Sequence, residues 1–155
     1  MFIFSYRARI GKNQPVLMET VGQYMTDLDQ VKSTADAGHV FIDAIRMHEE
    51  AEEVIVCLCL NASGRVTGMF EHSGGGNRTV MFDVGGIVRK ALMLNAVSII
   101  LAHNHPGGSL RPSSEDIDAT KQVQKACDVV GIRFLDHFII SSDGLYTSLK
   151  EEGYV

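Results

Sequence analysis

Apolar residues along this chain recur in two patterns, which together predict an α/β fold. Short, continuous apolar or alternating runs predict strands over residues 54–60, 66–71, 96–102, 132–141 and 145–148. Apolar residues at helical spacing predict helices over residues 33–48, 86–94 and 114–130, the last ending at Gly131. The strand patterns over 54–60 and 96–102 are apolar throughout, as in strands buried on both faces. We therefore expect a mixed central β-sheet flanked by helices.

The chain is expected to comprise an N-terminal extension over residues 1–32 and a main domain over residues 33–155. Within the extension, residues 6–10 and 16–20 flank a turn and predict a hairpin that packs on the core. Ser33 and Asp36 have the spacing of a capping box and open the first helix of the main domain.

A motif of the form H-x-H-x7-S-x-x-D follows the buried strand over 96–102 and comprises His103, His105, Ser113 and Asp116. Residues two apart on a strand point to the same side, so both imidazoles can reach one ion. Two histidines and one aspartate form a three-ligand set that leaves one tetrahedral position of Zn²⁺ open, as in catalytic zinc sites. Iron, cobalt and manganese also accept such ligands.

Each part of the motif also has an ordinary structural interpretation. Ser113 and Asp116 match the N-terminal cap of a helix, and His-x-His occurs in solvated loops. Both interpretations are compatible with a metal site, because a cap at Ser113 would also position Asp116. Hydrolysis further needs a general acid/base. Among the acidic residues before the strand over 54–60, Glu53 directly abuts that strand and is expected to be held most rigidly.

Composition and charge restrict the classes of protein to which the chain can belong. At 155 residues it is long enough for one substantial core, and it contains no apolar run of about 20 residues for a membrane span. Its net charge is −5, which does not favour DNA binding through phosphate contacts. The three cysteines form no metal-binding pattern, and their odd number indicates a reducing cytoplasm. Glycines 74–76 lack the context of a phosphate-binding loop, so no nucleotide cofactor is expected. His72, beside these glycines, is expected to be an exposed loop residue.

These segments resemble the JAMM (also JAB or MPN) metalloprotease motif, a glutamate followed far downstream by H-x-H-x7-S-x-x-D. More narrowly, the chain resembles the core region of the bacterial and phage-type RadC family. The resemblance covers residues 53–154 and is carried by IILAHNHPGG at 99–108, PSSED at 112–116 and LDH at 135–137. Residues 83–86 depart from the family pattern, and the helix-hairpin-helix region of many full-length members is not recognisable.

The resemblance implies a JAMM/MPN-type, cytidine deaminase-like three-layer sandwich that binds one Zn²⁺ per chain. It implies that His103, His105 and Asp116 are the zinc ligands, that Glu53 is the catalytic base, and that Ser113 hydrogen-bonds the water or the oxyanion. The expected substrate is a peptide or isopeptide bond of a protein. Two alternatives stay open: a non-catalytic protein-binding module on the same fold, and an accessory to DNA repair or recombination. His137 is either a satisfied core histidine or a hydrogen-bond partner of a ligand.

Overall fold

The computed structural model of the chain describes residues 1–11, 16–72 and 82–155. Within these residues the strands are β1 (Phe2–Ile10), β2 (Val16–Met25), β3 (Ile55–Leu60), β4 (Val66–His72), β5 (Ser98–His105), β6 (Arg133–Ser141) and β7 (Tyr146–Ser148). They form one seven-stranded mixed sheet in the order β2-β1-β4-β3-β5-β6-β7. The described α-helices are α1 (Thr34–His39), α2 (Val84–Met93) and α3 (Ser114–Val130).

The sheet separates two hydrophobic cores, because successive residues of its central strands point to opposite faces. Cys57 and Cys59 of β3 pack on the face covered by α2 and α3, where Val123 and Cys127 of α3 are buried. The alternate residues of β3 face α1 and the segment that follows it. All six residues of β3 are buried. The predicted α/β architecture with a mixed sheet between helices is confirmed.

Two central strand pairings position the site. β5 lies between β3, to which it is antiparallel, and β6, to which it is parallel. Ile55 at the start of β3 is paired with His103 near the end of β5. The segment that leads into β3 therefore reaches the same edge of the sheet as the histidine pair.

The N-terminal residues form the predicted hairpin with strands longer than expected. Phe2 is paired with Met25 at one end, and the register shifts between Ser5 and Tyr6. β1 also adds to the main sheet in parallel to β4, with Ser5 opposite Met69. Residues 12–15 of the predicted turn and the glycines at 74–76 lie outside the described residues.

Two sequence-based expectations are wrong. The helix predicted over 33–48 begins at the expected capping box but ends as α1 at His39, followed by a π-helical turn over Val40–Ala44. Arg46 then adopts the left-handed conformation with φ 63°, which redirects the chain so that Met47 is buried. His72 was expected in an exposed loop. It ends β4, is buried, and its Nδ1 lies 3.2 Å from Lys90 Nζ.

In the described part of the chain, no helix combines the length and the apolar character that a membrane crossing requires. Cys57, Cys59 and Cys127 are free thiols and all three are buried. All three are small residues of the hydrophobic core.

Candidate metal centre

His103 and His105 lie at the C-terminal end of β5, and His105 is its last residue. Both side chains leave the same side of the strand, and their Nε2 atoms are 2.9 Å apart. His103 is completely buried, whereas the His105 side chain is 17% exposed and borders the solvent. The strand stops directly after His105, where a turn closes with the Gly108 N–H donating to the His105 carbonyl, and Gly108 has a φ of 84°. The two imidazoles are thus fixed at the end of a buried strand.

The His105 ring is oriented by the loop that follows it. Its Nδ1 lies 2.8 Å from the carbonyl oxygen of Ser109. A carbonyl oxygen only accepts hydrogen bonds, so Nδ1 carries a hydrogen and Nε2 is the nitrogen that faces His103. Nε2 is therefore the nitrogen that a metal would use.

Asp116 reaches the histidine pair from the first turn of α3. Its Oδ1 lies 3.6 Å from His103 Nε2, and its Oδ2 lies 3.8 Å from His105 Nε2. Burial by itself would raise the pKa of this carboxyl, but the hydrogen bond and charge of His103 and the Ser113 N–H outweigh it. The pKa of Asp116 therefore lies well below its usual range. The carboxylate stays ionised and is available as a ligand.

Ser113 caps α3, as the structural interpretation of the motif predicted. The Ser113 Oγ accepts a hydrogen bond from the Asp116 N–H at 3.0 Å, and the Ser113 N–H donates to Asp116 Oδ2 at 2.8 Å. This reciprocal capping box anchors one oxygen of Asp116. The Ser113 hydroxyl hydrogen is not used by the cap. The side chain lines the cleft described below.

Glu53 is the other carboxylate near the histidines. Its Oε1 lies 3.8 Å from His105 Nε2, and Glu53, His103 and His105 offer ligand atoms that all lie within 4.8 Å of one another. The Glu53 side chain is 37% exposed, compared with 12% for Asp116. The structure thus brings all five sequence-predicted residues to one place, with one anchored and one more exposed carboxylate beside the histidine pair.

Asn104 is a site residue that the sequence interpretation missed. It lies between the two histidines and therefore points to the opposite side of β5, where it is buried. Its Nδ2 donates to the carbonyls of Glu50 and Glu52 at 3.2 and 3.0 Å, and its Oδ1 accepts from the Val54 N–H at 2.8 Å. These bonds fix the backbone on both sides of Glu53. The available signal was a polar residue within a buried strand, which must find hydrogen-bond partners.

His137, Thr120 and Phe82 surround the buried side of His103. His137 Nε2 lies 2.8 Å from His103 Nδ1, and the Phe82 ring packs edge-on against both imidazoles. Burial, and then the neighbouring His103, lower the pKa of His137 well below its usual range, so its ring is neutral. Of the two interpretations of His137, the structure thus supports contact with a predicted ligand. Nothing in the sequence pattern identifies Thr120 or Phe82.

His105 and both carboxylates line an open cleft of about 660 Å³, and His103 lies buried behind His105. Its lining includes Glu53, Glu115 and Asp116 as acidic residues and Arg111 as the basic one. The donor set fits a divalent transition metal: two imidazole nitrogens and an ionised carboxylate converge, with a second carboxylate beside them.

Comparison with known proteins places these features in a family. The family described as "RadC-like JAB domain" matches residues 31–154. A UPF0758 protein of Porphyromonas gingivalis is 46% identical over 102 residues, which cover 66% of this chain and 45% of that protein. A UPF0758 protein of Pseudomonas fluorescens is 39% identical over 151 residues, covering 96% of this chain and 66% of that protein.

A UPF0758 protein of Acinetobacter baumannii is 33% identical over 144 residues, covering 90% of this chain and 61% of that protein. The chain thus spans between 45% and 66% of the length of these relatives. The matched family segment contains the whole candidate metal centre.

Proposed function

The chain belongs to the RadC-like JAB domain family, and on this premise we propose that it is a zinc-dependent hydrolase that cleaves a peptide or isopeptide bond. The observation that carries the proposal is the convergence of two histidine Nε2 atoms and two carboxylates beside one open cleft, which His105 and both carboxylates line. A non-catalytic binding module would have no need of this set of metal-binding and acid/base groups.

His103, His105 and Asp116 would hold the zinc ion. Asp116 suits a ligand role because the α3 cap anchors its carboxylate, and it is the more buried of the two acids. A bound zinc ion would supply Lewis-acid polarisation of the scissile carbonyl and would lower the pKa of a nearby water molecule.

Glu53 is the proposed general base and acid. It would accept a proton from the attacking water, whose oxygen bonds to the carbonyl carbon, and would return that proton to the amine as the C–N bond breaks. Its partial exposure at the mouth of the site gives it access to both water and leaving group. Ser113 would donate its hydroxyl hydrogen to the tetrahedral oxyanion.

The proposed partner is a protein or peptide rather than DNA. The cleft beside His105 is lined by the carboxylates of Glu53, Glu115 and Asp116 and by the single guanidinium of Arg111. Phosphate backbones are held by clusters of basic residues, which this cleft lacks among its described lining residues. The three buried free thiols further support our proposal of a reducing, cytoplasmic location.

Metal content and a matched set of variants test the proposal. Wild-type protein should bind about one zinc per chain, and Asp116→Ala should lose it while keeping the wild-type circular dichroism spectrum. Glu53→Gln keeps the size and hydrogen-bonding capacity of the side chain but removes the base. This variant should retain zinc and lose cleavage of a peptide or isopeptide library, by a factor of about 10² to 10⁴. Zinc-free wild type after dialysis against zinc, or a Glu53→Gln variant of wild-type activity, would refute the mechanism.

A further inference from the structure

A chain of buried hydrogen bonds runs from the backbone of α3 through two side chains to His103. The Thr120 Oγ lies 2.6 Å from the Asp116 carbonyl oxygen and 2.6 Å from His137 Nδ1. His137 Nε2 in turn lies 2.8 Å from His103 Nδ1. Thr120, His137 and His103 are all completely buried, so water does not compete for these bonds.

The bond between the Thr120 hydroxyl and the Asp116 carbonyl determines the direction of the other hydrogen bonds in this series. The Asp116 backbone carbonyl can only accept a hydrogen bond, so the Thr120 hydroxyl donates its single hydrogen to that carbonyl. The Thr120 oxygen must then accept a hydrogen bond from His137. His137 is therefore protonated on Nδ1. Its ring is neutral, because complete burial disfavours a charged imidazole. Its Nε2 then bears a lone pair and accepts from His103 Nδ1–H.

The consequence appears at the other nitrogen of His103. Because the His103 Nδ1 hydrogen is donated to His137, Nε2 is the nitrogen of His103 that faces His105. The Ser109 carbonyl imposes the same arrangement on His105. The two Nε2 atoms face each other 2.9 Å apart, so one cation can be held by both rings.

We propose that Thr120 and His137 are positioning residues that fix the tautomer of His103, so that its Nε2 is free to bind a metal. This inference rests on the proposed function, because it assigns further residues to the same site. Without the Thr120 oxygen, His137 places its hydrogen on Nε2 and donates to His103 Nδ1. The hydrogen of His103 then moves to Nε2, the atom that the metal needs.

Thr120→Val and Thr120→Ser provide a matched pair. Valine keeps the shape of threonine without the hydroxyl, whereas serine keeps the hydroxyl and loses a methyl group. Long-range ¹H–¹⁵N correlation spectra of labelled, metal-free protein report which ring nitrogen carries hydrogen, and His137→Phe assigns the His137 signals. Wild type and Thr120→Ser should show His137 protonated on Nδ1, whereas Thr120→Val should show it protonated on Nε2.

Zinc affinity, measured by competition with a chelator, gives the second readout. Thr120→Val should bind zinc about 10- to 100-fold more weakly than Thr120→Ser, the range typical of groups that orient a ligand. Wild-type His137 protonated on Nε2, or equal zinc affinity in the two variants, would overturn the proposal. Tight zinc binding with the expected tautomers but no peptide cleavage would support the positioning role and refute the hydrolase. Failure of wild type to bind zinc would refute the hydrolase, while the metal-free spectra still decide the tautomers.

Discussion

Replacing Asn104 by alanine should separate catalysis from metal binding. The Asn104 side chain makes three hydrogen bonds to the backbone around Glu53, with the carbonyls of Glu50 and Glu52 and the N–H of Val54. It makes none with His103, His105 or Asp116, and it points away from the histidines on the opposite side of β5. The substitution therefore releases the segment that carries the proposed base, while the proposed metal ligands keep the hydrogen bonds that hold them.

The expected magnitudes follow from these contacts. Each lost hydrogen bond costs about 1 kcal/mol, and water can reach part of the exposed segment, so we expect a loss of roughly 1 to 3 kcal/mol in unfolding free energy. A displacement of Glu53 by about 1 Å should lower kcat by about 100-fold. Zinc affinity should change by less than about twofold, because β5 is held by β3 and β6 on both sides.

Asn61→Ala is the control for a loss of stability alone. Asn61 follows the far end of β3, and its Oδ1 accepts hydrogen bonds from the Ser63 N–H, the Ser63 hydroxyl and the Arg65 N–H. Three bonds are thus lost in each variant. Denaturant unfolding, zinc content and initial rates should be measured on both proteins. Equal losses of kcat in the two variants, or loss of zinc from Asn104→Ala, would show that the inferred role of Asn104 is incorrect.

Two further predictions concern a helix cap and a pH-dependent contact. Ser113→Ala and Ser33→Ala each remove a capping hydroxyl and should lower the unfolding free energy by about 1 kcal/mol, but only Ser113→Ala should also slow hydrolysis. Hydrogen bonds to Asp27, which has the larger effect, and to Asp43 raise the pKa of His39 above its ordinary value. Its stabilising contribution should therefore be complete below the unfolded pKa of about 6.5 and fall as the pH rises through the folded value. Denaturation midpoints of wild type and His39→Gln should differ more near pH 6 than near pH 9, and a constant difference would contradict this.

The accuracy of the sequence-based interpretation varied with the range of the interactions involved. The capping boxes at Ser33 and Ser113 and the end of α3 at Gly131 were predicted correctly, because each depends on residues within one turn. The prediction that the first helix continues to residue 48 was wrong, because α1 ends at His39. There, burial of Met47 and the left-handed Arg46 depend on packing against the sheet, which no local pattern records.

The sequence by itself determined the chemistry of the site and the elements that present it. A buried apolar strand, two histidines at strand spacing and a capped aspartate are neighbours along the chain, so their residue types and spacing are sufficient to predict a metal site. Only the tertiary structure decided how that site is supported. Glu53 meets His105 because β3 pairs with β5, Asn104 fixes the backbone beside Glu53, and Thr120 and His137 reach His103 from α3 and β6. These contacts join residues far apart in sequence, and hydrogen-bond partners buried between layers are selected by folding rather than by spacing.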